Sequence, residues 1–243
     1  MTLEICSGSV QSAINAQAAG AQRVELCEGL VLGGTTPSYG TIALTRKNLS
    51  IDVNVLIRPR SGDFLYTDVE FETIKEDIRM VKQLGCNGVV CGILHADGSI
   101  DVERTRELVE LARPLSFTFH RAFDRASDPV KALEDVIATG ADRILTSGQQ
   151  AKAIDGAPLL KQLVEQANGR IIIMPGSGVN AGNIAELMKT GATEFHCSGQ
   201  QPFASKMAFV REEVPMSSPL PDENLIFESN VQVIKEVVRN MQS

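Results

Sequence analysis

Two cysteines, two histidines, a pair of glutamates and several arginines stand out in this 243-residue chain, because their types and spacing suit chemistry. Cys6 and Cys27 each close a short β-rich run, Glu4-Ile5-Cys6 and Arg23-Val24-Glu25-Leu26-Cys27. Neighbouring strands lie about 4.8 Å apart, so two thiols at one level can share a soft metal. Two thiolates suit Cu(I), although a buried cysteine also serves as a small hydrophobe. His120 closes the run Leu115–Phe119. Its reference pKa of about 6.5 suits proton transfer, with Glu25 or Glu4 to orient or share the proton and His196 as the alternate. Arg58 and Arg60 can clamp an anion. The turns Gly176-Ser177-Gly178 and Ser198-Gly199 expose backbone N–H groups that can hold a phosphate, or do no more than turn tightly.

Positioning these residues requires a scaffold, and a weak repeat supplies one. Gly20-Ala21-Gln22-Arg23-Val24 recurs as Gly85-Cys86-Asn87-Gly88-Val89, Gly140-Ala141-Asp142-Arg143-Ile144 and Gly191-Ala192-Thr193-Glu194-Phe195. Each copy reads as a helix ended by a left-handed glycine and followed by a buried strand. The four glycines are 65, 55 and 51 residues apart. A βα unit takes roughly 30 residues in a barrel of about 250, so the repeat marks every second unit. The intervening strands are Leu3–Cys6, Asp52–Ile57, Leu115–Phe119 and Arg170–Met174. Helices are expected over Val10–Ala19, Tyr39–Lys47, Val69–Leu84, Val102–Ala112, Pro129–Thr139, Pro158–Ala167 and Ala181–Thr190. Asp101, Asp128 and Asn180 can cap, and Pro129 and Pro158 suit a first turn. Eight strands in one series of repeats imply an α/β chain that closes into a single (β/α)₈ TIM-like barrel over 1–243. Gln200–Asn224, with four prolines, reads as a long loop, and Leu225–Met241 as an extra C-terminal helix.

Strand alternation then sorts the polar residues. Glu4 and Cys6 point inward from the first strand, and Arg23, Glu25 and Cys27 from the second. Asn54 and Arg58 follow from the third, Thr118 and His120 from the fifth, and Glu194, His196 and Ser198 from the eighth. Glu4, Glu25, Arg58, His120 and His196 should converge toward the C-terminal strand ends, where sites in this fold lie. Glu4 and Glu25 flanking Arg58 would neutralise it. Internal ion pairs can also simply fill a barrel. Gly-rich turns after strands 7 and 8 occupy the usual phosphate corner, with Arg58, Arg60 and Arg121 across the mouth.

Composition removes other classes. The net charge of −7 argues against nucleic acid, and 5% aromatic residues without Trp argue against stacking platforms. Five cysteines without a CxxC pair argue against disulfides or structural zinc. No run of roughly 18 apolar residues suggests a membrane span, so a cytoplasmic protein is expected. Gly176-x-Gly178-x-x-x-Gly182 is one residue too long for a dinucleotide fingerprint, and no organic cofactor is expected. The lysines fall on expected helices or loops, which disfavours Schiff-base chemistry.

The same segments, read together, resemble one family. They are Glu4-Ile5-Cys6, Arg23-Val24-Glu25-Leu26-Cys27, Gly33-Gly34-Thr35-Thr36-Pro37-Ser38, and above all Ile57-Arg58-Pro59-Arg60-Ser61-Gly62-Asp63-Phe64-Leu65-Tyr66. Thr118-Phe119-His120-Arg121-Ala122-Phe123-Asp124, Arg143-Ile144-Leu145-Thr146-Ser147-Gly148, Pro175-Gly176-Ser177-Gly178-Val179 and Glu194-Phe195-His196-Cys197-Ser198 complete the set. In this order, along the whole chain, they resemble the CutC copper homeostasis family. The resemblance implies a TIM-like barrel, a cytoplasmic homo-oligomer (dimer or tetramer), and copper ligands at Cys6 and Cys27. Two functions stay open. One is copper handling through these cysteines. The other is an enzyme acting at the barrel mouth on a small anionic or phosphorylated metabolite.

Overall fold

The structure is a computed structural model that describes residues 1–211, 213–214, 222 and 224–242. Eight parallel strands carry the architecture: β1 (Thr2–Ser7), β2 (Arg23–Leu26), β3 (Asp52–Leu56), β4 (Gly88–Cys91), β5 (Ser116–Phe119), β6 (Arg143–Thr146), β7 (Ile172–Pro175) and β8 (Glu194–Cys197). They are laddered in the order β7-β6-β5-β4-β3-β2-β1-β8, and β7 and β8 meet to complete the ring. The expected barrel is therefore present. Helices α1 (Val10–Ala18), α2 (Tyr39–Asn48), α3 (Asp68–Gln83), α4 (Val102–Ala112), α5 (Pro129–Thr139), α6 (Ala157–Ala167) and α7 (Ile184–Met188) alternate with the strands.

Local chemistry explains the element ends. The four repeat glycines all have positive φ: Gly20 at 95°, Gly85 at 72°, Gly140 at 82° and Gly191 at 86°. A side chain there would strain the backbone, which is why the repeat keeps glycine. Asp101 and Asp128 accept from backbone N–H groups at the starts of α4 and α5, and Thr67 and Glu70 form a reciprocal capping box on α3. Asn180 does not cap α7. Its Oδ1 accepts from Gly182 N–H at 2.8 Å, which holds a turn and delays the helix to Ile184.

Alternation divides the side chains into two layers. Leu3, Ile5, Val24, Leu26, Val53, Val55, Phe117, Phe119 and Phe195 join the apolar layer between sheet and helices, as do Cys91 and Cys197. Inside the barrel, the apolar cluster is only Cys6, Cys27, Leu56 and Val90, with Leu30 against it. Buried Leu145 and Met174 stand outside both apolar clusters, Met174 against Arg23, and charged and polar side chains take much of the remaining interior, where this fold usually has branched apolar filling.

The tail differs from expectation. Leu225–Ser229 is not the start of a helix but strand β10, antiparallel to β9 (Gln200–Ala204). Helix α8 runs only from Val231 to Met241, because Asn230 caps it by accepting from Gln232 and Val233 N–H. Of the expected loop's prolines, Pro202 lies in β9, and Pro215, Pro219 and Pro221 lie outside the described residues.

One close backbone approach yields a test. A Cβ on Gly156 would sit 2.0 Å from the Ser147 carbonyl oxygen, beyond the end of β6. Backbone cannot rotate away as a side chain can. Gly156→Ala is expected to destabilise the protein by about 1–3 kcal/mol, at the upper end of that range, read as a lower urea midpoint.

Candidate metal and anion site at the barrel mouth

The inward residues form two levels. At the lower level, Arg23 Nε donates to Glu4 Oε2 at 2.5 Å, and its Nη2 donates to Glu194. Arg143 Nε donates to Glu194 Oε2 at 2.9 Å, and Asn54 Nδ2 to Glu4 Oε2 at 3.3 Å. Two guanidiniums thus meet two carboxylates, all buried. Such charges are tolerable in a barrel only when paired. Arg58 is not the partner of Glu4 and Glu25 that residue type and alternation suggest. Arg23 neutralises Glu4, while Arg58 is held by the carbonyls of Leu32, Gly34 and Gly62 in the loops above. Arg143 was absent from the expected set, although alternation along β6 points it inward.

The upper level holds the reactive groups. Cys6 pairs with Glu25 in the β1–β2 ladder, and the Sγ atoms of Cys6 and Cys27 are 3.3 Å apart without a disulfide. His196 Nε2 lies 3.0 Å from Glu25 Oε2 and 3.9 Å from Glu4 Oε1. One potential ligand atom each from Cys6, Glu25 and His196 lies within 4.8 Å of the others. Burial opposes a charge on His196, but the Glu25 carboxylate outweighs it and raises the His196 pKa well above the ordinary value. Burial likewise opposes the Glu25 charge, and His196 reverses the balance, so the Glu25 pKa is lowered. The pair is therefore imidazolium and carboxylate. The hydrogen bond to Cys27, reinforced by burial, pushes the Cys6 thiol well above its usual range.

A profile of the CutC family matches residues 1–201. The chain belongs to the CutC family. A CutC family protein of Chromobacterium violaceum is 54% identical over 222 residues, covering 91% of this chain and 90% of that one. The human copper homeostasis protein cutC homolog is 48% identical over 219 residues, 90% of this chain and 80% of that one. The structure of the copper homeostasis protein CutC from Streptococcus agalactiae aligns with a TM-score of 0.78 at 37% identity, over 82% of this chain and 98% of that one. The CutC match spans β1 to β8, and so every inward residue described above.

The other expected site residues of this CutC family chain fall around the mouth. His120 follows β5, is 5% exposed, and packs its ring 4.9 Å from that of Phe64. Arg60 is bound to Glu70 and Asp63 at the surface, so its charge is already matched. Arg121 donates to Asp124 at 2.7 Å. In the Gly-rich turn, Gly176 N–H donates to the Thr146 carbonyl, and a Cβ there would lie 3.3 Å from His196 Nδ1. Ser177, at φ 78°, donates its hydroxyl to Ala151 O, and the Gly178 carbonyl accepts from Asn180 and Asn183. Ser198 Oγ accepts from Gln200 N–H, and Gly199 turns the chain against Ile234 of α8. Glycine at 176 thus leaves room mainly for Leu145, whose Cδ1 would lie 2.4 Å from a Cβ there, and then for the His196 ring, while 199 seats the C-terminal helix.

His120 gives a pH prediction. Burial, then the Arg58 charge, lowers its pKa to about 4. The unfolded chain protonates it near its ordinary value, so between about pH 6.5 and 4 the unfolded state binds the extra proton. Stability should fall with pH across that window, by up to about 3 kcal/mol from this residue. Urea titrations of wild type and His120→Gln at pH 7, 5.5 and 4 should show a shallower acid loss in the variant. Parallel losses would remove His120 as the cause.

Proposed function

We propose that this chain serves copper homeostasis by binding Cu(I) between Cys6 and Cys27, beside His196. The observation that carries this reading is the 3.3 Å separation of two reduced thiols inside a closed barrel mouth. The donors fit the ion: two soft sulfurs lie in a small apolar cluster with Leu56 and Val90, and the His196 ring alongside would join them only on giving up its proton. Burial limits access by water, and the hard ligand at hand, the Glu25 carboxylate, is engaged by His196. Copper here is cargo, and Glu25 holds the His196 ring beside the sulfurs. The relatives carry copper homeostasis in their names, which supports the same assignment.

The test is an anaerobic Cu(I) titration of the whole protein against a chromophoric Cu(I) chelator. One equivalent per chain should bind, with protons released from the thiols. Weak binding of several equivalents, or binding that leaves both thiols open to alkylation, would defeat this reading.

A further inference from the structure

Two buried N–H donors near this mouth have no acceptor among the described residues, and they come from the two most distinctive sequence segments, Ile57–Tyr66 and Thr118–Asp124. Arg58 is 6% exposed, and among the described residues no carboxylate lies within ion-pair distance of it. Its Nη1 donates to Leu32 O at 3.2 Å and Gly34 O at 2.8 Å, and its Nη2 to Gly62 O at 2.9 Å. Those three carbonyls fix the guanidinium but carry no charge to balance it. Its Nε is buried without a hydrogen-bond partner among the described residues, and the Tyr66 hydroxyl, near enough to Arg58 for that charge to work against its burial, is buried and unpaired as well.

His120 completes the pattern. Its Nδ1 accepts from Ala122 N–H at 3.2 Å, so the ring proton belongs on Nε2. Nε2 is also buried without a partner. The ring cannot retreat, since even a Cβ on Gly92 would lie 2.7 Å from Nδ1. Phe64 links the two groups: its ring centroid is 5.1 Å from the Arg58 guanidinium carbon and 4.9 Å from that of the His120 ring.

We propose that the barrel mouth, besides its thiol pair, binds the carboxylate of a small organic acid between Arg58 Nε–H and His120 Nε2–H. An uncompensated buried cation and two unmet donors are costly unless a ligand supplies the acceptors. A carboxylate supplies one negative charge and two coplanar oxygens, which matches one cation and two donors set about an aromatic face. A phosphate dianion would bring a second charge and more oxygens than this donor set meets. The lowered pKa of His120 keeps its ring neutral at pH 7, with one proton to give and no charge to repel. Phe64 also borders a cavity of about 380 Å³ lined by Leu94, His95, Gly98 and Arg125. Arg58 and His120 do not line that cavity, so a ligand entering from it reaches their donors only by displacing the Phe64 ring, which sits on the otherwise exposed Ser61–Leu65 stretch. This site stands independently of the copper reading.

The experiment is histidine-selective ¹⁵N NMR on the full-length, copper-free protein, titrated with pyruvate and separately with inorganic phosphate. The chain has three histidines, so assignment is direct. Pyruvate should shift the His120 Nε2 signal saturably. His120→Phe, which removes the donor, should weaken pyruvate binding roughly tenfold or more, measured by calorimetry. His120→Gln, which keeps an N–H donor, should recover part of it. The Cys6→Ser/Cys27→Ser variant should bind pyruvate as wild type does. No His120 shift at millimolar pyruvate would overturn the proposal even if the variants fail to fold. So would a shift with phosphate alone, or pyruvate binding lost with the cysteines.

Discussion

Replacing Arg23 with methionine should cost about 3–5 kcal/mol of folding stability, measured by urea unfolding at pH 7. Arg23 is 5% exposed and bridges Glu4 and Glu194, themselves buried. Methionine fills much of the same volume, so the loss would come from charge and not from a cavity. Glu4 would keep the neutral Asn54 amide and the more distant His196 ring at 3.9 Å, and Glu194 would keep Arg143. Arg23→Lys should fall between the two. It restores the charge, but an ammonium lacks the fork that reaches both carboxylates. The pH dependence supplies a second check. Burial raises the Glu194 pKa, but Arg143 and Arg23 outweigh it and the net direction is down. Its contribution is thus present above the unfolded carboxylate range and lost as pH falls through the folded value. In Arg23→Met that depression should lessen, so the stability gap to wild type should narrow in acid. A loss under about 1 kcal/mol would show that the lower level is not held by these charges.

Cu(I) affinity should fall about a thousandfold in Cys6→Ser, equivalent to about 4 kcal/mol. Serine is nearly isosteric with cysteine but offers a hard, neutral oxygen where Cu(I) prefers a thiolate. Cys27→Ser should lose a similar amount, because the two sulfurs are equal members of one pair. Cys197→Ser is the control. Cys197 lies on the same stretch of barrel but faces the helix layer, so its loss should leave Cu(I) affinity unchanged. His196→Ala should weaken binding less, by roughly 10–100-fold, because the sulfurs remain. Competition against a Cu(I) chelator reads all four. Equal affinity in wild type and Cys6→Ser would move copper away from this mouth.

The barrel was legible because its signals are local. A left-handed glycine marks each repeat, Asp and Pro mark helix starts, and alternation along four or five residues gives the inward face. Those rules need no knowledge of distant chain segments, and they placed Glu4, Cys6, Arg23, Glu25, Cys27, Glu194 and His196 inside. The hairpin at Gln200–Ala204 and Leu225–Ser229 was not legible, since its strands are separated by twenty residues and pair only with one another. The apolar spacing of Leu225, Val231 and Ile234 also fits a helical face, and only the Asn230 cap decides otherwise.

Alternation says that a side chain enters the barrel, but not which side chain it meets there. That depends on the stagger of the strands around the closed ring, a property of the whole sheet. Hence the residue types alone favoured Arg58 between Glu4 and Glu25, whereas the closed ring puts Arg23 beside Glu4 and the loops carry Arg58 away. The cysteine pair was foreseeable because β1 and β2 are neighbours in both sequence and space. The unmet donors of Arg58 and His120 were not, because they exist only once the loops after β2, β3 and β5 have folded over one mouth. The sequence by itself determined the eight strands and their inward faces through short-range backbone and side-chain preferences. The tertiary structure alone decided which buried charges are paired and which are left open to a ligand, because that depends on ring closure and loop packing.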